Sequence, residues 1–134
     1  MDIKDRVFEE HEIKRHCCSE TIMNMALEDM GWSEEDRRVP MKAMGAYCGG
    51  LHVGLACGAL CGAKSALFIA EEDIDKAHDE LGPELMEWFK ERFGAWNCGE
   101  LLEGEPGSNP EFCLVIMSDT YIKLYDMLED IGAV

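Results

Sequence analysis

Apolar residues recur along this chain in steps of three and four, and no stretch alternates in steps of two between turn signals. The pattern predicts an all-α protein, one domain over residues 1–134, folded as a compact bundle of about five or six helices. Asp2 to Met30 lacks glycine and proline and reads as one helix stopped by Gly31, with Cys18, Ile22 and Met25 on its inward stripe. Ser33, followed by Glu34, Glu35 and Asp36, opens a second helix, which Pro40 limits or restarts. Met41 to Cys48 continues it as far as Gly49–Gly50, and Leu51 to Gly54 is a loop carrying His52. Helical spacing resumes from about Leu55 through Ala70.

Glu71 to Asp79 is charged and predicts a solvated face. Gly82–Pro83 marks a break that opens a helix ending at Gly94, and a short helical run covers Gly99 to Glu103. EGEPGSNP, residues 103 to 110, is a loop; Asn109 then caps a last helix that starts at Pro110 and runs to about Asp130. Its seam of Leu114, Met117, Tyr121, Leu124, Leu128 and Ile131 suits either a bundle interior or the partner helix of a homodimer.

The segment Tyr47–Gly62, YCGGLHVGLACGALCG, interrupts this regularity with its density of cysteine and glycine. Glycine is unfavourable inside a helix, so the density predicts backbone in close approach or at positive φ. Gly58 and Gly62, four apart, form a ridge that lets another helix come near. That packing account leaves the neighbouring cysteines unexplained. Cys57 and Cys61 are also four apart, which sets them on one face of a helix.

Charge narrows the function classes. Twelve Lys and Arg against 28 Asp and Glu give −16, which argues against nucleic acid or an anionic membrane as partner. The N-terminal residues carry no apolar signal-peptide core, and the longest uncharged run, 43–63, is too rich in glycine for a bilayer-spanning helix. A cytoplasmic location is expected, where thiols are kept reduced. Seven cysteines at 17, 18, 48, 57, 61, 98 and 113 cannot all pair within one molecule. In that compartment such a set favours metal binding or redox catalysis over a structural disulfide framework. Cys18, the Cys57/Cys61 pair, Cys98 and Cys113 sit on four different predicted elements that a small bundle can bring together. Cys113 falls in the first turn of its helix, where the dipole favours a thiolate. His16 beside Cys17 and Cys18 reads as a surface residue. No phosphate-binding loop and no GxSxG nucleophile elbow is present.

The segments Cys18-Ser19-Glu20, Cys57-Gly58-Ala59-Leu60-Cys61-Gly62, Arg92-Phe93-Gly94-Ala95-Trp96-Asn97-Cys98 and then Cys113 together resemble the redox-active family with the C_GCAxxG_C_C cysteine motif. The resemblance extends over nearly the whole chain. It implies a small helical protein that is redox-active through Cys18, Cys57, Cys98 and Cys113, with these four as metal ligands. A similar domain occurs in some haem-containing electron-transfer proteins, which implies an iron–sulfur cluster or other metal as cofactor. The chain has no C-x-x-C-H, so no covalent haem is expected. Cys17, Cys48 and Cys61 are additions to the family pattern. Cys61 is the first candidate to join the cofactor-binding set, through its relation to Cys57.

Three readings follow. In the first, clustered cysteines hold an iron–sulfur cluster or other metal for electron transfer. In the second, the chain is a thiol–disulfide oxidoreductase or redox sensor in which Cys57 and Cys113 are the reactive catalytic thiols. In the third, it is an interaction module with core thiols. The expected partners are a redox protein or a small thiol or electron donor, and a second copy of the chain.

Overall fold

The computed structural model describes residues 2–102 and 110–134. Helix α1 spans Ile3–Phe8 and is capped by Asp2, whose carboxylate accepts the Asp5 N–H at 2.9 Å. A wider π turn, Glu9–Ile13, follows, and α2 is Cys18–Asp29. The single helix predicted over Asp2–Met30 is therefore two. Arg15 adopts a left-handed φ of 65°, and the turn around it is held from inside by Glu10. That buried carboxylate binds Lys14 Nζ at 3.0 Å, His16 Nδ1 at 2.8 Å and Asn24 Nδ2 at 3.0 Å. Helix propensity does not register such a bend, because no glycine or proline marks it. Burial alone would raise the Glu10 pKa, but these three partners outweigh it and hold the carboxyl below its ordinary value.

Helix α2 is the central element. Ile22, Met23, Met25, Ala26 and Leu27 are fully buried, because α3, α4 and α8 all pack on it. Helix α3 is Glu34–Met44, with Ser33 Oγ accepting the Asp36 N–H at 3.1 Å. Pro40 lies inside α3 and neither limits nor restarts it. The carbonyl it leaves without a helical donor belongs to Asp36, which is exposed, so water can satisfy it.

Helix α4 is Gly58–Ala70 and begins three residues later than its periodicity suggests. A Cβ on Gly62 would stand 2.7 Å from Ser19 O, closer than real side chains come, so α2 and α4 touch backbone to backbone along the glycine ridge. Ahead of α4 lies a left-handed turn. Gly49, Gly50, Leu51 and His52 all have φ between 60° and 64°. A Cβ at Gly50 would overlap Leu55 O, so only glycine fits there.

Helix α5, Ile74–Lys76, passes through a π turn at Ala77–Leu81 straight into α6, Gly82–Phe93. The break expected at Gly82–Pro83 does not occur. Pro83 sits where α6 begins, beyond the wide turn, and Gly82 is right-handed helical. Gly94, at φ 89°, stops α6 as expected. A four-residue α7, Cys98–Leu101, and the long α8, Pro110–Asp130, complete the chain. The 103–110 loop and the Asn109 cap fall on residues outside the described ones, Pro110 excepted.

The fold is all-α, as the periodicity predicts. Among the described residues no strand forms; the one extended contact is an isolated antiparallel bridge, Ala56–Asn97. The α8 seam is spent inside the chain's own core: Met117, Tyr121, Leu124 and Leu128 are fully buried. It is thus not free for a partner helix. At the far end of α2, Asp29 accepts from Arg6 Nη1 at 3.0 Å and from the Tyr121 hydroxyl, tying α1, α2 and α8 together. No helix among the described residues is long and apolar enough to cross a membrane.

Candidate thiol centre

Four cysteines stand at four helix starts. Cys18 is the first residue of α2, Cys57 the N-cap of α4, Cys98 the first residue of α7, and Cys113 lies in the first turn of α8. At the start of α4 the Leu60 and Ala59 amides face the Cys57 sulfur, which favours negative charge there. Backbone ties set the positions. Cys57 N–H donates to Trp96 O at 2.8 Å and Cys98 N–H to Leu55 O at 2.7 Å, so the short bridge aligns these two cysteines side by side. Trp96 is itself anchored, its indole N–H donating to Met86 O at 2.9 Å. Gly58 brings α4 against α2, since a Cβ there would lie 3.2 Å from Cys18 Cβ.

All four side chains line one cavity of about 270 Å³. Its apolar walls include Ala59, Leu101, Ile116 and Met117, and His11 and Gly49 complete its edge. Cys57 and Cys98 are only 6 % and 8 % exposed, so water has little access to their sulfurs.

The thiols perturb one another. Cys18 donates a hydrogen bond to Cys113, which pushes the Cys18 pKa well above its ordinary value and pulls that of Cys113 below it. Burial pushes Cys57 up to about 12, although the amides of Ala59 and Leu60 partly offset this by donating to its sulfur. Burial also raises Cys98. Charge on any of Cys57, Cys98 or Cys113 raises Cys18 further, so the group resists holding several thiolates at once. A cation in their midst would reverse that balance, because ligated thiols deprotonate outright.

Residues 16–127 match the family described as "Putative redox-active protein (C_GCAxxG_C_C)". The chain belongs to this family. No curated protein and no solved structure matches it.

The four cysteines that carry the resemblance to this redox-active family all line the cavity, and Cys17 lines it beside them. Cys61 does not join them. Its sulfur turns toward Ala56 O at 3.9 Å and lines a separate depression with Met23, Met44, Tyr47 and Phe68. Residues four apart share a face only where both are helical, whereas Cys57 precedes α4 with ψ at 131°, and the two side chains diverge.

Cys17 and Cys48 form a disulfide with a Cα–Cα distance of 5.7 Å, so the chain does carry a bridge that its expected compartment disfavours. Their sulfurs and the Glu20 carboxylate lie within 4.8 Å of one another, the donor group of that kind found among the described residues. No three of the four cavity sulfurs lie that close to one another. His16 is half-buried against Glu10, and His52 reaches Gly45 O at 3.2 Å; neither lines the cavity. His11, which does, carries no marker in the sequence. It comes to the edge because the bend at Arg15 lets its Nδ1 meet the His16 carbonyl at 2.8 Å.

Proposed function

We propose that this protein is an electron carrier whose Cys18, Cys57, Cys98 and Cys113 hold an iron–sulfur cluster. The observation that supports this most is the convergence of four thiols, each from a different helix start, on one water-poor cavity. Iron–sulfur clusters take about four thiolate ligands. A single tetrahedral ion with metal–sulfur bonds of about 2.3 Å needs its donors closer together than these four lie. A polynuclear centre spans the wider gap.

The chain's own residues supply the rest. The Ala59 and Leu60 amides that donate to Cys57 would stabilise thiolate ligands and tune the potential, as hydrogen bonds to cluster sulfurs do. Apolar walls keep water out. Electrons would be exchanged with a redox partner protein or a small electron donor.

The test is protein prepared without oxygen and assayed for iron and acid-labile sulfide. The expected result is a brown protein with both elements in stoichiometric amount. A colourless, iron-free preparation that reconstitution does not rescue overturns the proposal.

A second reading rests on the hydrogen bond from Cys18 to Cys113. The pair sets a thiol of lowered pKa beside a second thiol, the two partners a dithiol couple needs. Oxidation would join the two sulfurs and release two electrons and two protons to a disulfide acceptor. Thiol mapping after mild oxidation of the metal-free protein separates the readings: loss of Cys18 and Cys113 together supports this one.

A further inference from the structure

Beside the four cavity thiols lies a pair of sulfurs that the family pattern does not use. Cys17 precedes Cys18 and lines the rim of the same cavity; Cys48 precedes Gly49, which lines it too. Both are half-exposed, and their sulfurs are bonded to each other. The two ends of the bridge are held differently. Cys17 is the N-cap of α2, with its N–H donating to Glu20 Oε1 at 2.8 Å and its sulfur 3.3 Å from Ser19 Oγ. Ser19 Oγ in turn donates to Met44 O at 2.7 Å, so this end is built into the fold.

Cys48 begins the left-handed turn of Gly49 to His52. Two non-glycine residues there, Leu51 and His52, hold a left-handed backbone conformation that side chains with a Cβ disfavour. Leu51 is 42 % and Val53 72 % exposed, so little packing pins the segment. Cys48 Sγ also lies 4.0 Å from Ser19 Oγ, but its backbone opens into a strained strap whose Leu51 and Val53 side chains are exposed. A bridge placed this way can open without disturbing the core.

We propose that Cys17–Cys48 is a second redox site of this protein, a dithiol–disulfide couple that takes two electrons from a dithiol reductant. The incoming thiolate bonds to Cys48 Sγ as the Cys17–Cys48 bond breaks, and the electron pair leaves on Cys17 Sγ, which lies 3.3 Å from Ser19 Oγ. The reductant's second thiolate then attacks its own sulfur in the mixed disulfide and releases Cys48. The reductant ends as a disulfide, and its two protons pass through water to Cys17 and Cys48. Charge, atoms and electrons balance with no other reactant. Cys17 then stands as a free thiol at the rim of the cavity, beside Cys18.

The site is independent of what the cavity holds, because its readout is confined to positions 17 and 48. The oxidised native protein is incubated with dithiothreitol, or with glutathione followed by an acid quench, then alkylated and mapped by peptide mass. The expected result with dithiothreitol is reversible opening in dithiol–disulfide buffers, with Cys17 and Cys48 labelled together and helix content unchanged. With glutathione, the mixed disulfide is expected on Cys48 and the free thiol on Cys17. A bridge that opens only in denaturant overturns the proposal, and so does a glutathione adduct confined to Cys17. Cys17→Ser, which retains a good capping residue, serves as the folded control and should show no thiol–disulfide cycling at Cys48.

Discussion

Cys57 and Cys61 lie four residues apart at the start of one helix, yet they belong to two different regions. Cys57 faces the cavity, buried, accepting two backbone amides and meeting cysteines from three other helices. Cys61 faces a depression on the other side of α4, with no second cysteine among its lining residues. The difference comes from one residue's backbone. Cys57 caps the helix and Cys61 is inside it, so helical spacing does not relate their side chains. Chemistry at this helix is set by where the helix starts.

The largest contrast expected between the two is in alkylation of reduced, metal-free protein. Burial holds Cys57 near 12, which leaves a thiolate fraction of about 10⁻⁴ at pH 8. Cys61 is raised less, with Lys64 offsetting its burial. Mass mapping over time at pH 8 should show Cys61 modified well before Cys57. Cys113 should precede both, because its lowered pKa keeps a thiolate as the pH falls. Labelling of Cys57 first would break the comparison.

Substitution gives the next largest effect. Cys57→Ser or Cys98→Ser should lower bound iron at least about tenfold, since removing a ligand costs more than removing a residue that supports one. Cys61→Ser should leave it unchanged. Equal losses from Cys57→Ser and Cys61→Ser would merge the two regions into one.

Smaller effects separate the scaffold from the site. Gly62→Ala forces a Cβ toward Ser19 O at 2.7 Å and should cost about 1–3 kcal/mol, read as a lowered thermal midpoint. Tyr121→Phe removes one hydrogen bond to Asp29 while Arg6 still pairs with it, so a loss of about 0.5–1.5 kcal/mol is expected in denaturant unfolding. Iron content should not change with Tyr121→Phe, because Asp29 lies at the end of α2 opposite Cys18.

What the chain reveals before it is folded follows the same division. The helices, the glycine ridge and the α6 stop at Gly94 are local matters of spacing and φ, and residue type reports them. The four family cysteines are legible as a set by their order along the chain. Their meeting depends on the Leu55–Cys57 segment leaving the helical path to pair with Trp96–Cys98, which the apolar spacing from Leu55 onward conceals. The bend at Arg15 is equally hidden, because it is enforced by a carboxylate, Glu10, whose burial is a property of the whole fold. The Cys17–Cys48 bridge depends on the same bend, since Cys17 becomes a cap only once the first helix is broken.

The central claim is that the four cavity cysteines together ligate a polynuclear iron centre. Iron-edge X-ray absorption on anaerobically prepared protein tests it most directly. The account predicts a first shell of sulfur at about 2.3 Å, a typical metal–thiolate distance, with a second shell of iron beyond it. A first shell of oxygen or nitrogen, or sulfur ligation without any iron neighbour, would contradict it.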